Sequence, residues 1–402
     1  MIRICVMLGL TAACFAVRIN PVLTIKNGKQ PQCIAASKEK IFLAYQAGQK
    51  VLGWLPTFPL IATSGPNFWP STKPESAGLC DTIYDVKGLE IDHTGNLWVL
   101  DDGGTSICFP KIIIFNPDNY KEIYHCQFPS AVVSSSSSNN RKLRGLFLDC
   151  FRADKCFAYI AYSGSNTIVV FDKSTGQIGR VEVQGTKIFA IALSALKKKL
   201  YISGYQSGAL FSVSVAEIRA GKKSVKPTFE GNMNDWCSEM VMDDATGVLY
   251  LELKNSLVVY WNTNTPFQLV KVDFQEKYGR SKFSFAKGIS GSIWIMQYKT
   301  SEKKSILYSA VVETESNTRF TTTVSGANTE TDTKKRDEVF PATEIISVNT
   351  STKNSENNEK GGTGTLIVAI TCFIIFSIMS VGISYLAWSR IVKKKRRFSI
   401  PR

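Results

Sequence analysis

One pattern constrains the fold of this chain more than any other. A short apolar strand is followed by a polar turn and by a second strand that carries Leu or Ile beside an aromatic residue. The pattern occurs at residues 88–100 (GLEIDHTGNLWVL), 192–203 (ALSALKKKLYIS), 240–251 (MVMDDATGVLYL) and 287–296 (KGISGSIWIM). Further β-branched strands come between these hairpins, so the unit recurs about every 45 to 50 residues, which is the size of a four-stranded propeller blade.

The number of units follows from counting the second strand of each. These strands begin at or contain Lys40, Leu97, Tyr159, Leu200, Leu249 and Ile293. A ring of six blades fits roughly 280 folded residues and leaves only short sheet edges. The sequence therefore predicts an all-β fold, a six-bladed β-propeller over residues 17–318. A pair of β-sandwiches is the alternative, but sandwich strands would not repeat these turns at this period.

The N-terminal segment has the features of a signal peptide. Residues 1–16 (MIRICVMLGLTAACFA) contain a basic residue, then an apolar run too short to span a bilayer, then small residues suited to cleavage. A buried N-terminal strand is the alternative. The prediction is a chain that enters the secretory pathway.

A longer apolar segment lies near the C-terminus. Residues 365–388, from Thr365 to Trp388, contain no charged residue. At about 1.5 Å per residue this run is long enough to cross a hydrocarbon layer about 30 Å thick as one transmembrane helix. Basic residues crowd the tail at 389–402, which the positive-inside rule places in the cytoplasm. We therefore expect a single-pass type I protein of the cell membrane, with the propeller outside.

The segment between the propeller and this predicted span differs in composition from both. Residues 319–364 are rich in Thr, Ser, Asn, Glu and Lys and hold few aromatic residues. Such a segment cannot bury enough apolar surface to fold, so it is expected to be a disordered Ser/Thr-rich stalk. Asn349 begins its Asn-Thr-Ser sequon and is the candidate glycosylation site.

The charge of the chain argues against one class of partner. The formal net charge is +15, and seven of the basic residues follow the predicted span, where topology and contact with anionic lipid account for them. Elsewhere the basic and aromatic residues are not interleaved as on a nucleic-acid surface. We expect no nucleic-acid partner.

Cysteine usage agrees with an oxidising compartment. Outside the two apolar terminal segments the chain has seven cysteines, an odd number. Cys80 and Cys108 flank the hairpin of the second blade and can bridge, and Cys150 can close on Cys156. The spacings include no CxxC and the only histidines are His93 and His125, so no metal site is expected.

The stretch at residues 88–103 holds four carboxylates, which raises the question of a catalytic cluster. Asp92 precedes a polar turn, and the equivalent positions of other units hold Ser194, Asp243 or Ser290, so a turn role is predicted for Asp92. Asp101 ends a strand and is a candidate for a ligand site at the central channel or the rim.

Several stretches resemble the Yellow/major royal jelly protein family. They lie at residues 88–103, 108–115 (CFPKIIIF), 155–161 (KCFAYIA), 197–214 (KKKLYISGYQSGALFSVS), 244–262 and 283–296. The resemblance covers about residues 33–313 and implies a six-bladed propeller. It also implies roles of the kind attributed to that family in cuticle pigmentation, nutrition and the capture of biogenic amines, with dopachrome conversion assigned to some members. The chain departs from the family at residues 45–47 (YQA) and 296–298 (MQY), where the family carries an arginine.

The sequence contains no established catalytic motif. There is no GxSxG elbow, HExxH or Walker loop, and two histidines leave little room for general-base chemistry. No catalytic residue and no cofactor are therefore predicted. A calcium-dependent hydrolase of the propeller type would need inward acids and amides, for which the candidates are Glu90, Asn234, Asp235 and Glu239.

A binding function requires fewer specialised residues than catalysis does. Loops around one end of a propeller can enclose a cationic amine with aromatic rings and a carboxylate. The candidates are Asp101, Tyr162, Tyr205 and Trp236, which lie at strand ends or in loops. The leading hypothesis is a membrane-tethered binding ectodomain for a small biogenic amine. The alternatives are an enzyme of the dopachrome-conversion type acting in pigmentation, and an ectodomain that adheres to another extracellular protein.

Overall fold

The structure is a computed structural model of the chain. The described residues are 16–25, 30–45, 52–56, 66–68, 80, 83–103, 108–133, 142–152, 155–274, 281–288 and 292–313. They belong to one of the two compact units into which the chain divides, and the second unit, Ala327–Arg402, lies outside them. The predictions for residues 1–15, for the stalk with Asn349, for the membrane span and for the tail also lie outside the described residues. Within the described ranges, no helix is long and apolar enough to cross a membrane.

The strands, numbered in chain order, form six separate sheets, and each sheet is one blade. Blade 1 contains β2 (Pro31–Ala36), β3 (Lys40–Tyr45), β4 (Leu52–Pro56) and β5 (Asn67–Phe68). Blade 2 contains β6 (Val86–Ile91), β7 (Leu97–Asp101), β8 (Lys111–Phe115) and β9 (Glu122–Gln127). Blade 3 contains β10 (Leu143–Arg152), β11 (Lys155–Tyr162), β12 (Thr167–Asp172) and β13 (Gln177–Val183).

The other three blades repeat this order. Blade 4 contains β14 (Ile188–Ser194), β15 (Lys199–Gly204), β16 (Ala209–Ser214) and β18 (Thr228–Asn232). Helix α1 (Val215–Arg219) and strand β17 (Ser224–Val225) lie between the last two of these, and β17 pairs in parallel with β13. Blade 5 contains β19 (Cys237–Asp243), β20 (Val248–Leu253), β21 (Leu257–Asn262) and β22 (Val270–Lys271). Blade 6 contains β23 (Ser281–Lys287), β24 (Ile293–Lys299), β25 (Lys304–Glu313) and β1 (Ala16–Ile25).

The first strands of the six blades surround a central axis. Each of them contacts the first strand of the next blade, and β23 of blade 6 contacts β2 of blade 1. Blade 6 is completed by the N-terminal strand β1, which pairs antiparallel with β25 along its length. The two ends of the described chain therefore meet in one sheet, and the six-bladed β-propeller predicted from the sequence is confirmed.

The apolar core lies between the blades. The described residues form six buried hydrophobic clusters, and each cluster joins two neighbouring blades. Strand β15 shows how one strand serves two clusters: Leu200 and Ile202 pack toward blade 3, whereas Tyr201 packs toward blade 5. Because successive side chains of a strand point to opposite faces, a strand buried on both faces reads as a continuous apolar run.

The polar turns of the hairpins are stabilised by their own side chains. The Asp92 carboxylate accepts hydrogen bonds from the Thr94 and Asn96 backbone N–H groups, each at 2.9 Å, and from Trp98 Nε1 at 2.9 Å. Burial alone would raise the pKa of Asp92, but these hydrogen bonds outweigh burial and lower the pKa. Asp243 accepts from the Ala245 N–H at 3.0 Å in the equivalent turn of blade 5. The turn role predicted for Asp92 is confirmed.

Two disulfides lie in the described part of the chain. Cys80 is bonded to Cys108, and Cys150 is bonded to Cys156, which faces it across β10 and β11. These are the two pairs that the sequence offered. Three further cysteines of the described residues are free, at Cys33, Cys126 and Cys237.

Candidate functional site

A cavity of about 970 Å³ lies on the propeller axis, and we call it the central cavity. Its wall is formed mainly by the first strands of the blades, together with Glu252 of β20 and residues 254–256 that follow this strand. Residues that line it include Cys33, Val86, Arg144, Ser238 and Phe283, which come from five different blades. Ring closure therefore assembles this wall from parts of the sequence that lie far apart.

Two carboxyl groups of blade 5 dominate one side of the central cavity. Glu239 of β19 and Glu252 of β20 are direct partners in the antiparallel register, so their side chains share one face of the sheet. Glu239 Oε1 accepts a hydrogen bond from the Phe285 backbone N–H at 2.9 Å, and Glu252 Oε1 accepts one from the Phe283 N–H at 3.0 Å. The carboxyl pair thus fastens blade 5 to the first strand of blade 6.

Burial disfavours the ionised form of both carboxyl groups. Burial, and next the negative charge of Glu252, raise the pKa of Glu239 to about 8. Burial also raises the pKa of Glu252, against the hydrogen bonds from Ser238 and the Phe283 N–H. Two neighbouring acids in a poorly solvated site disfavour double ionisation, so a cationic partner would relieve the pair.

Arg144 is the basic group associated with this pair. Its Nη1 donates a hydrogen bond to the Ser238 carbonyl at 3.0 Å, and the Ser238 hydroxyl in turn donates to Glu252. The positive charge of Arg144 lowers the pKa of both Glu239 and Glu252, although burial outweighs it. Arg144 therefore lies within electrostatic reach of both carboxyl groups.

An aromatic cluster borders the same side of the central cavity. The ring of Phe189 lies 4.7 Å from that of Trp236 and 5.6 Å from that of Tyr205, measured between centroids. The guanidinium carbon of Arg144 lies 4.5 Å from the Phe189 centroid, and Lys254 Nζ lies 5.9 Å from that of Trp236. The structure thus brings Tyr205 and Trp236 together through Phe189, and Trp236 lines the cavity. Cations of the protein itself already use the faces of these rings.

Asp101 is placed differently from the expectation. It is fully buried at the end of β7, and its carboxylate accepts hydrogen bonds from the N–H groups of Tyr84, Asp85 and Gly103. Lys111 Nζ lies 3.4 Å from its Oδ2, and the Lys111 side chain is only 2 % exposed. Asp101 does not line the central cavity, and these contacts occupy its carboxylate. Its role in this arrangement is structural.

Tyr162 also lies one strand away from the cavity wall. It ends β11 opposite Leu143 of β10, and it packs partly buried against the cluster between blades 2 and 3. Of the four residues predicted to bind a ligand, only Trp236 lines the central cavity. Asp101, Tyr162 and Tyr205 do not line this cavity.

Of the acids and amides that were candidates for a hydrolase site, some line the central cavity and others do not. Glu90 and Glu239 line the central cavity, whereas Asn234 and Asp235 do not. Burial raises the pKa of Glu90 to about 7, against the positive charge of Lys287. Lys287 Nζ lies 3.3 Å from Asp244 Oδ2. The acid groups of the cavity wall therefore form a pair in blade 5 and a separate carboxyl group in blade 2.

One group of potential metal-binding atoms was not expected from the sequence. His93, Cys150 and Cys156 have their nitrogen and sulfur atoms within 4.8 Å of one another. The two sulfurs are bonded to each other, so in this oxidised state only His93 offers an available ligand atom. A single imidazole is not a metal site.

Sequence reasoning missed two members of the site, Glu252 and Arg144. A signal for Glu252 exists in β20 (VLYLEL), where one charged residue interrupts a run that is otherwise apolar and buried. Its position opposite Glu239 follows from the hairpin register, which the turn at residues 244–247 sets. No comparable sequence signal marks Arg144, because its contact with the Ser238 carbonyl depends on how the blades are arranged around the axis.

Comparisons with known proteins agree with the resemblance seen in the sequence. Residues 85–188 match the family model described as Major royal jelly protein. The chain is 23% identical over 237 residues to Major royal jelly protein 9 of Apis mellifera, covering 52% of this chain and 56% of that protein. It is 25% identical over 234 residues to Yellow-related salivary protein ASP2 of Phlebotomus orientalis, covering 48% and 59%. The chain thus spans about half the length of the curated relatives it matches.

Proposed function

We propose, for a chain that belongs to the Yellow/major royal jelly protein family, that the central cavity binds a small aromatic ligand carrying an ammonium group. A biogenic amine is the simplest such ligand. The observation that carries this proposal is the Glu239–Glu252 carboxyl pair on the cavity wall, directly across the hairpin from each other and beside Trp236.

The Glu239–Glu252 carboxyl pair favours a cationic ligand. A carboxyl group held neutral by burial and by a neighbouring acid releases its proton when a positive charge comes close. An ammonium group placed between Glu239 and Glu252 supplies that charge, and charge-assisted hydrogen bonds to carboxylate oxygens are roughly twice as strong as neutral ones. The ligand thereby replaces the proton that the buried carboxyl group holds.

The aromatic wall supports the other half of the ligand. Trp236 is half-buried and lines the central cavity, as the carboxyl pair does. Aromatic rings favour offset or edge contacts with another ring and add cation–π attraction to an ammonium group within about 6 Å. The volume of about 970 Å³ falls at the upper end of the range of about 300 to 1,000 Å³ for small-molecule sites.

The setting of this site is part of the proposal. The apolar run at residues 365–388 and the stalk before it would hold the propeller at the outer surface of the cell membrane. In that position the chain acts as a tethered binding ectodomain. The stalk would keep the cavity accessible to ligands outside the cell.

Calorimetry tests the proposal directly. The full-length chain, kept in mild detergent, is titrated with serotonin and with dopamine near pH 7. We expect saturable heat in the micromolar range, and an affinity at least tenfold lower in Glu252→Gln, which keeps the shape of the side chain and removes its charge. The matched control is Glu217→Gln on the exposed face of α1, which should bind as the unmodified chain does.

Two results would refute the proposal. One is the absence of heat at high micromolar concentrations of both amines. The other is an affinity that is the same in Glu252→Gln and in the unmodified chain.

A further inference from the structure

The wall of the central cavity carries charges of both signs. Its acidic residues are Glu90, Glu239 and Glu252, and its basic residues are Lys87, Arg144, Lys254 and Lys282. A cavity that recognised a simple cation would benefit from a predominantly acidic wall. The basic side chains therefore need an explanation of their own.

Some of these cations are occupied by other groups. Lys87 Nζ lies 2.8 Å from Asp85 Oδ2, in an ion pair at the edge of the cavity. Lys254 lies over the ring of Trp236 at 5.9 Å. These two groups have partners within the protein.

Arg144 is in a different situation. Among the described residues it forms no ion pair, and the one hydrogen bond of its guanidinium group goes from Nη1 to the Ser238 carbonyl. A guanidinium group has five N–H donors in a planar fork that matches a carboxylate. Arg144 therefore presents unused donors to the central cavity, and its guanidinium carbon lies 4.5 Å from the centroid of the Phe189 ring.

Arg144 and the carboxyl pair interact electrostatically. Arg144 is linked to the carboxyl pair through one residue, Ser238, whose carbonyl accepts from Arg144 and whose hydroxyl donates to Glu252. A basic fork and an acidic pair thus stand side by side on one wall, with the Phe189–Trp236 aromatic contact next to them. This juxtaposition matches a small molecule that carries an anion, a cation and an aromatic ring within a few bonds.

We propose that the central cavity selects an aromatic α-amino acid in its zwitterionic form. The α-carboxylate binds Arg144, the α-ammonium binds Glu239 and Glu252, and the ring packs in the aromatic cluster. The inference rests on the proposed function and narrows it, because it names a carboxylate that a simple amine lacks.

An aromatic ligand with only one of the two charged groups would leave either Arg144 or the carboxyl pair without an opposite charge. An amine without the carboxylate places its positive charge beside Arg144, and like charges at close range repel. An aromatic acid without the ammonium places its negative charge beside the carboxyl pair. Only the zwitterion satisfies both groups at the same time.

The experiment compares ligands that differ by one group. Tryptamine, L-tryptophan and indole-3-propionate share the indole ring and are titrated into the full-length chain in mild detergent near pH 7. Dopamine and L-DOPA form a second matched pair with a catechol ring. We expect each amino acid to bind at least tenfold more tightly than the corresponding amine, and tryptophan at least tenfold more tightly than indole-3-propionate.

Two variants assign the preference to Arg144. Arg144→Gln should remove the tenfold advantage of the amino acid and leave the amine bound equally well or more tightly. Arg180→Gln, on the outer strand β13 and away from the central cavity, should keep the advantage. Because Arg144 is exposed in the cavity, its replacement leaves the hydrophobic core intact, and thermal melting checks the fold.

The outcomes separate the two proposals. If the amines bind as tightly as the amino acids, or if Arg144→Gln weakens both ligand types equally, the zwitterion inference is wrong while the amine-binding function stands. If none of the five compounds gives heat, both are wrong. If the amino acids bind and depend on Arg144 as described, both are supported.

Discussion

Glu239 and Glu252 stand directly opposite each other in the antiparallel register of β19 and β20, with both carboxyl groups at the wall of the central cavity. In most hairpins, like charges in this position would be destabilising. Here each carboxyl group accepts a backbone hydrogen bond from β23, and the pair joins two blades. The same two groups therefore serve the architecture and the proposed chemistry.

The raised pKa of Glu239 predicts how stability depends on pH. Between its ordinary pKa of 4.5 and about 8, the folded chain holds a proton that the unfolded chain has released. The free energy of unfolding should therefore fall as pH rises through this range and level off above about 8. Melting temperatures from pH 5 to pH 9 test this, and Glu239→Gln should flatten the profile whereas Glu217→Gln should not. A profile of unchanged slope in Glu239→Gln would contradict the prediction.

Asp101 is expected to matter for stability. Asp101→Ala removes the carboxylate that lies 3.4 Å from the buried Lys111 ammonium group, and it leaves the N–H groups of Tyr84 and Asp85 without their acceptor. Breaking a buried ion pair in this way costs about 3 to 5 kcal/mol. Urea unfolding measures the loss, and the exposed Asp118→Ala is the control, with an expected change within about 0.5 kcal/mol. A loss of that small size in Asp101→Ala would show that the pair is not needed.

The four residues predicted to bind a ligand can now be ranked by position. Trp236 lines the central cavity and Tyr162 does not. We expect Trp236→Leu to lower the affinity for any ligand of the cavity at least tenfold, because a buried aromatic contact is lost. Tyr162→Leu should leave the affinity within about twofold of the unmodified chain. Calorimetry of both variants with the same ligand decides, and an equal loss in both would place the site elsewhere.

The two disulfides should contribute unequally to stability. The Cys80–Cys108 bond spans a sequence separation of 28 residues and the Cys150–Cys156 bond spans 6. Loop-closure entropy predicts stabilisation of about 3.5 kcal/mol for the first and about 2 kcal/mol for the second, because a longer loop restricts the unfolded chain more. Paired Cys→Ser variants compared by urea unfolding give both values. A larger loss from the shorter loop would contradict the entropic account.

Strand β1 is expected to be essential for closing the ring. Ile25 is 4 % exposed and packs in the cluster between blades 6 and 1, whereas Val311 on the paired strand β25 is 43 % exposed. Ile25→Ala should destabilise the propeller by about 2 to 4 kcal/mol through the cavity it leaves, and Val311→Ala by less than about 1 kcal/mol. Thermal and urea unfolding measure both. Equal effects would mean that β1 adds little to closure.

The strands, turns and blade repeat of this protein can be predicted from its amino-acid sequence. Strand alternation, turn residues such as Asp92 and the repeat period all act over a few residues, so the six blades can be counted from the sequence alone. Glu90, Glu239 and Trp236 also stand out as candidates, because they are polar or aromatic residues in or beside the first strands of their blades.

Which residues line the central cavity, by contrast, depends on closure of the ring of blades. Closure places Arg144 of blade 3 beside Ser238 and Glu252 of blade 5, which lie far apart along the chain. Such choices depend on how blades rotate and pack against one another, which is a property of contacts between distant residues and leaves no local pattern to be read.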